Sequence, residues 1–165
     1  SLLFVHHGAE ERGLLGSRYH SAHPVVPLAQ IVAVLNGDMI GRNHPDTAAL
    51  LGAQPPHRVS SELVEMALRA NAATSRFVID TLWDRPSHPE GWFFRSDHAP
   101  YARLSVPVLM WSTNLHDDYH TADDVPERID YAKLARMTRW MYLTGWYVAN
   151  APKRPAVDPG FRLER

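Results

Sequence analysis

A chain of 165 residues with 45% hydrophobic and 21% charged residues suits one globular domain. Its formal net charge of −1 shows no basic excess for neutralising phosphates, so no nucleic-acid partner is expected. Without cysteine there are no disulfides or thiolate metal sites, and no apolar run approaches the length of a membrane span.

Leu2 to Val5 is a continuous apolar run, expected as a strand buried on both faces. It has no basic leader and runs straight into His6-His7-Gly8-Ala9-Glu10-Glu11, so a signal-peptide core is not expected. Termini usually lie at the surface, so a start within a buried strand suggests a fragment of a larger domain. Glu10 to His20 reads as a helix, with acids in the first turn favoured by the helix dipole. Ile31 to Leu35 reads as a second strand, ending at Asn36-Gly37-Asp38. Gly41 to Arg58, rich in Pro, Gly and Asn, is expected as loop.

Ser60 or Ser61 is expected to start a helix to about Ala73, with Leu63, Ala67 and Ala70 on its buried stripe. Arg76 to Leu82 is a candidate strand, and Trp83 to Arg95 a loop. Ser96 is expected to cap a short helix to about Leu104, and Val106 to Trp111 is the next strand. Asn114 to Arg128 is a polar loop dense in His and Asp. Asp130 is expected to cap a last helix to about Asn150, with Leu134, Met137, Met141 and Val148 at helical spacing. Residues 1–150 make the domain, and residues 151–165 an extended surface tail.

Apolar strands alternating with helices predict an α/β domain with a mixed, largely parallel central sheet flanked by helices and incomplete at its N-terminus. In such sheets ligands gather beyond the carboxyl ends of the strands. Glu10-Glu11 follows the first expected strand, Asp38 the second, and Asp117 to His120 the last. Each has an ordinary reading: a solvated helix start, a turn aspartate and a loop histidine. Together they form a Glu, Asp and His set of the kind that binds zinc. Adjacent carboxylates point in different directions, so one of Glu10 and Glu11 can bind a metal while the other faces water. Tyr119 is a candidate donor to a developing oxyanion. No Gly-x-Ser-x-Gly elbow or Gly-x-Gly-x-x-Gly loop is present, which argues against a serine hydrolase and a dinucleotide enzyme.

Five segments in order carry a family resemblance: Gly8-Ala9-Glu10-Glu11-Arg12-Gly13-Leu14-Leu15-Gly16-Ser17, Asn36-Gly37-Asp38-Met39-Ile40-Gly41, Arg95-Ser96-Asp97-His98-Ala99-Pro100-Tyr101, Val106-Pro107-Val108-Leu109 and Asp118-Tyr119-His120-Thr121. Together they resemble the M28 metallopeptidases over nearly all of residues 1 to 150. The resemblance implies an exopeptidase, an aminopeptidase acting on peptides, with two zinc ions in the complete domain. It implies Glu10 as general base and acid, Glu11 and His120 as ligands of one zinc, Asp38 as ligand of the other, and Tyr119 as an oxyanion donor. Asp97 and His98 would lie near the substrate pocket. Carboxypeptidase-like and glutaminyl cyclase-like activities are neighbours in this fold, and a metal-free scaffold domain is the non-catalytic alternative. A secreted or periplasmic parent protein is the expectation the resemblance carries.

The family also uses a His-x-Asp upstream of the Glu-Glu pair, and none precedes Glu10 here. Three of the five expected protein ligands are therefore present. Weak or partial metal binding, little activity by this chain alone, and an uncovered sheet edge or face are the resulting expectations.

Overall fold

The computed structural model describes residues 1–163. At its centre, neighbouring strand residues face opposite ways, and both directions are buried. In β2 (Thr47–Leu51), Ala48 and Leu50 join one core while Ala49 and Leu51 join the other. In β4 (Val108–Ser112), Leu109 and Trp111 take the first side, and Val108 and Met110 the second. A strand buried on both faces reads as a continuous apolar run, as β4 does.

With β1 (Val34–Gly37) and β3 (Val78–Asp80), these strands form a four-stranded mixed sheet in the order β1-β4-β2-β3. β1 runs parallel to β4 and β2 parallel to β3, while β2 and β4 are antiparallel. The carboxyl ends of β1 and β4 and the start of β2 therefore share one end of the sheet. That end carries the candidate site.

One face is covered by α2 (Ser61–Ala73) and α4 (Tyr131–Asn150). Both start where the sequence places them. The Ser60 side chain accepts from the Leu63 amide at 3.3 Å, and Asp130 accepts from the Lys133 amide at 2.9 Å. Leu63, Ala67 and Ala70 are buried as expected, against Met137 and Trp140 of α4. The other face carries α1 (Leu15–Ala22) and the single-turn α3 (Ala99–Ala102), with Trp92, Phe93 and Tyr101 in its core.

Several expectations need correction. Leu2 to Val5 form no strand, and Phe4 is 85% exposed. Among the described residues no strand runs beside them, and β1, one of the two edge strands, pairs only with β4. The expected loop from Gly41 to Arg58 contains β2, one of the most buried strands. The expected helix from Glu10 to His20 is broken: a 3-10 turn covers Glu10–Arg12, and α1 begins only after Leu14, whose φ is 60°. Ser96 caps nothing; α3 starts at Ala99, and the Ser96 hydroxyl turns towards Asp38. The tail is packed at Asp158, which accepts from the Ser61 amide at 2.7 Å and from Arg58 Nε at 2.9 Å.

Candidate active site

Three loops meet at the shared sheet end. The first holds Glu10 and Glu11 in the 3-10 turn before α1. It is closed by the Gly16 amide, which donates to the Gly8 carbonyl at 2.9 Å. A Cβ at Gly16 would come within 2.5 Å of that oxygen, so only glycine allows this closure. The second loop begins at Asp38, directly after β1, with the Asp38 amide donating to the Trp111 carbonyl at 3.1 Å. The third follows β4 and carries Tyr119 and His120.

Glu10, Glu11, Asp38, Tyr119 and His120 all line one cavity of about 430 Å³. Glu11 Oε1 and His120 Nε2 are 2.6 Å apart, although the residues are far apart in sequence. Tyr119 stacks on the His120 ring with centroids 3.8 Å apart. Asp97 and His98 are not among the cavity-lining residues. His98 is wholly buried, edge-on to Phe93 at 4.8 Å, and burial pushes its imidazole down to about 3. A neutral packing histidine fits that position.

The backbone is strained around each candidate ligand. Ala9 (φ 56°) precedes the Glu pair, Met39 (φ 53°) follows Asp38, and His120 itself has φ 58°. Left-handed φ at a residue with a side chain costs on the order of 1–3 kcal/mol and tends to cluster at functional sites.

Burial raises the Glu10 carboxyl to about 7, reinforced by the negative charges of Asp38, Glu11 and Asp97. Burial also raises Asp38, opposed by the Ser96 hydroxyl, which donates to its Oδ2 at 2.5 Å. Ser96 in turn accepts from the Asn36 amide at 2.7 Å. In the metal-free chain both carboxyl groups thus hold their protons more tightly folded than unfolded. Their folding advantage is present at low pH and is lost as pH rises through the folded values. Asp38→Asn should therefore raise the melting temperature of the metal-free chain at pH 8, and barely change it near pH 3, where both forms are neutral. A lower melting temperature at pH 8 would remove the carboxylate crowding inferred here.

Glu11, Asp38 and His120 offer carboxylate oxygen and imidazole nitrogen, the donor types zinc takes. They are not gathered tightly: among the described residues no group of three His, Asp or Glu side chains is close enough to hold a metal ion. Residues not singled out one by one from the sequence also line the cavity. Met39, Trp92 and Met110 give it an apolar wall, and Arg18, Arg95 and Asp124 add charge. Trp92 and Arg95 lie in the loop from Trp83 to Arg95, which is expected to build part of the substrate pocket, and the folded chain turns them inward.

The profile of peptidase family M28 matches residues 1–144. The chain belongs to peptidase family M28. Solved structures similar to this M28 chain include an aminopeptidase from Aneurinibacillus sp. strain AM-1, with a TM-score of 0.65 at 19% identity, covering 93% of this chain and 34% of that one. The LapA aminopeptidase of Legionella pneumophila gives 0.67 at 18% identity, covering 89% and 38%. BSAP, a zinc aminopeptidase from Bacillus subtilis, gives 0.63 at 19% identity, covering 94% and 38%. The M28 chain thus spans little more than a third of those proteins, and at this identity the likeness establishes the fold alone. No curated protein sequence matches the chain.

Proposed function

We propose that the M28 chain is the Glu10-bearing part of a zinc aminopeptidase that hydrolyses N-terminal peptide bonds. The observation that carries the reading is the meeting of Glu10, Glu11, Asp38, Tyr119 and His120 on one cavity, with Glu11 touching His120. The similar fold of the Bacillus subtilis protein, itself a zinc aminopeptidase, supports the choice of metal and reaction.

In this reading Glu11 and His120 hold one zinc ion and Asp38 contributes to a second. The remaining ligands come from a part of the domain outside these residues, as the one-third coverage of similar structures suggests. Bound zinc supplies Lewis acidity, polarising the scissile carbonyl and acidifying water. Glu10 takes a proton from the attacking water and returns one to the leaving amine. Its raised carboxyl suits both halves of that exchange. The Tyr119 hydroxyl donates to the oxygen that gains negative charge. Met39, Trp92 and Met110 hold the apolar part of the substrate.

The full-length protein should cleave an aminoacyl p-nitroanilide, lose at least about 99% of that activity to a strong chelator, and regain it with zinc. A substrate with a blocked N-terminus should be a poor one. Full activity in the chelator would end the metal reading. Preference for a free C-terminus, or cyclisation of N-terminal glutamine, would replace the aminopeptidase assignment.

A further inference from the structure

Asp38 and His120, assigned above to different metal ions, sit on different loops. Several side chains tie these loops together near the sheet end, and Arg42 is the one that reaches the carboxylates beside Tyr119 and His120. Arg42 lies four residues after Asp38. Its Nη1 donates to Asp124 Oδ1 at 2.6 Å, and its Nη2 donates to Asp118 Oδ2. These carboxylates flank Tyr119 and His120 on either side. The Arg42 side chain is only 13% exposed, so water screens the pair with Asp118 poorly.

Arg42 is itself fixed at both ends of its backbone. Its amide donates to Thr113 Oγ1 at 3.1 Å, and its carbonyl accepts from Lys133 Nζ at 2.6 Å. The next residue, Asn43, donates through its side chain to the carbonyls of Thr113 at 2.6 Å and Leu115 at 2.8 Å. The Asp38 loop therefore grips the exit of β4. At the far side, Asp118 carries the local turn: its carbonyl accepts from Thr121 Oγ1 at 2.7 Å and from the Thr121 amide at 3.0 Å. His120, inside that turn, has the left-handed φ of 58°. Such a conformation persists only where surrounding contacts over-determine it.

We propose that Arg42 is a positioning residue: its guanidinium, spanning Asp118 and Asp124, locks the Tyr119–His120 loop against the Asp38 loop and sets the separation of the two metal ligands. This rests on the reading of Asp38 and His120 as ligands. A planar fork reaches two carboxylates at once, whereas a lysine ammonium has a single charged point. Arg128 also donates to Asp118, at 2.8 Å, but it belongs to the same loop as Asp118 and links nothing to Asp38.

The test uses the full-length protein in two arms. In the metal-free state, Arg42→Ala should speed hydrogen exchange at the Tyr119 and Thr121 amides at least tenfold and leave the β4 amides of Leu109 and Trp111 unchanged. In a Co2+ titration followed by visible absorption, its affinity should fall about 10- to 100-fold, the usual cost of losing an outer support of a ligand. Arg42→Lys should recover part of both losses, and Arg128→Ala should cost less than Arg42→Ala. If Arg42→Ala exchanges globally faster, Asp124→Asn, at an exposed position, removes one arm of the bridge and should still loosen the same amides. Wild-type exchange at Tyr119 and Thr121 in these variants overturns the proposal, as does local loosening with unchanged Co2+ affinity. A wild-type protein that binds no Co2+ refutes the ligand reading on which the proposal depends, while the exchange arm separately decides whether Arg42 holds the loop.

Discussion

Replacing Glu10 by Gln in the full-length protein should lower kcat/KM by about 10²–10⁴-fold while leaving the metal content unchanged. Gln keeps the size and one carbonyl of the side chain but cannot accept a proton. Glu11, Asp38 and His120 are untouched, so metal stoichiometry, read by elemental analysis, should match the wild type. The pH profile gives a second reading. A base must be ionised, so kcat/KM should rise with pH on the acid side as the Glu10 carboxyl loses its proton. In the metal-free chain that carboxyl sits at about 7. Nearby cations favour the ionised form, so the acid limb of the loaded enzyme should lie below that value. The limb should disappear in the Gln variant. Undiminished turnover would remove Glu10 from the role of base, and loss of metal together with activity would recast it as a ligand.

Trp140→Ala should cost about 3–5 kcal/mol of stability, among the largest losses a single core truncation gives. Trp140 is wholly buried between α2 and the sheet. Its ring meets Trp111 of β4 edge to face at 5.7 Å and lies 5.9 Å from Phe77. Its Nε1 donates to the Ala67 carbonyl of α2 at 2.7 Å. Truncation therefore opens a large void and removes the hydrogen bond that ties α4 to the Ala67 carbonyl. For a chain of this size the loss corresponds to a fall of roughly 6–20 °C in melting temperature. Trp140→Phe keeps much of the volume and should fall between the two. A change within about 0.5 kcal/mol for Trp140→Ala, the range of an ordinary surface substitution, would mean that α4 does not close the sheet face as described.

The two helices that Trp140 joins are also the most legible elements of the sequence. Ser60 and Asp130 are side-chain caps, a local signal that needs no tertiary context. β4 is legible because both of its faces are buried and its residues are mostly large and apolar. β2 is not: Thr47-Ala48-Ala49 has weak strand preference, and its neighbours Asn43, Pro45, Gly52 and Pro55 advertise turns. Only pairing with β3 and β4 makes that segment a strand. Leu2 to Val5 mislead in the other direction. Their apolar pattern demands partners, and among the described residues none pairs with them.

At the site, the residue types and their order point to Glu10, Glu11, Asp38, Tyr119 and His120, and folding gathers all five on one cavity. The direct meeting of Glu11 with His120 cannot be read from spacing, because it depends on two loops leaving different elements. Arg42 stays invisible for the same reason. In sequence it is an ordinary arginine in a polar stretch; only the sheet end sets it between Asp118 and Asp124.

The Ser96 hydroxyl has one proton, and it is committed to Asp38 Oδ2, since Ser96 already accepts from Asn36. The other Asp38 oxygen takes no hydrogen bond among the described residues, so in the proposed metal site it would be the readier donor. A large, hard cation such as calcium gathers six to eight oxygens and gains from carboxylates that grip it with both. A small cation content with about four donors loses nothing when one oxygen is withheld. In the proposed site, the Ser96 hydroxyl would thus weaken a two-oxygen grip by Asp38 and favour zinc over calcium before charge or cavity size enters.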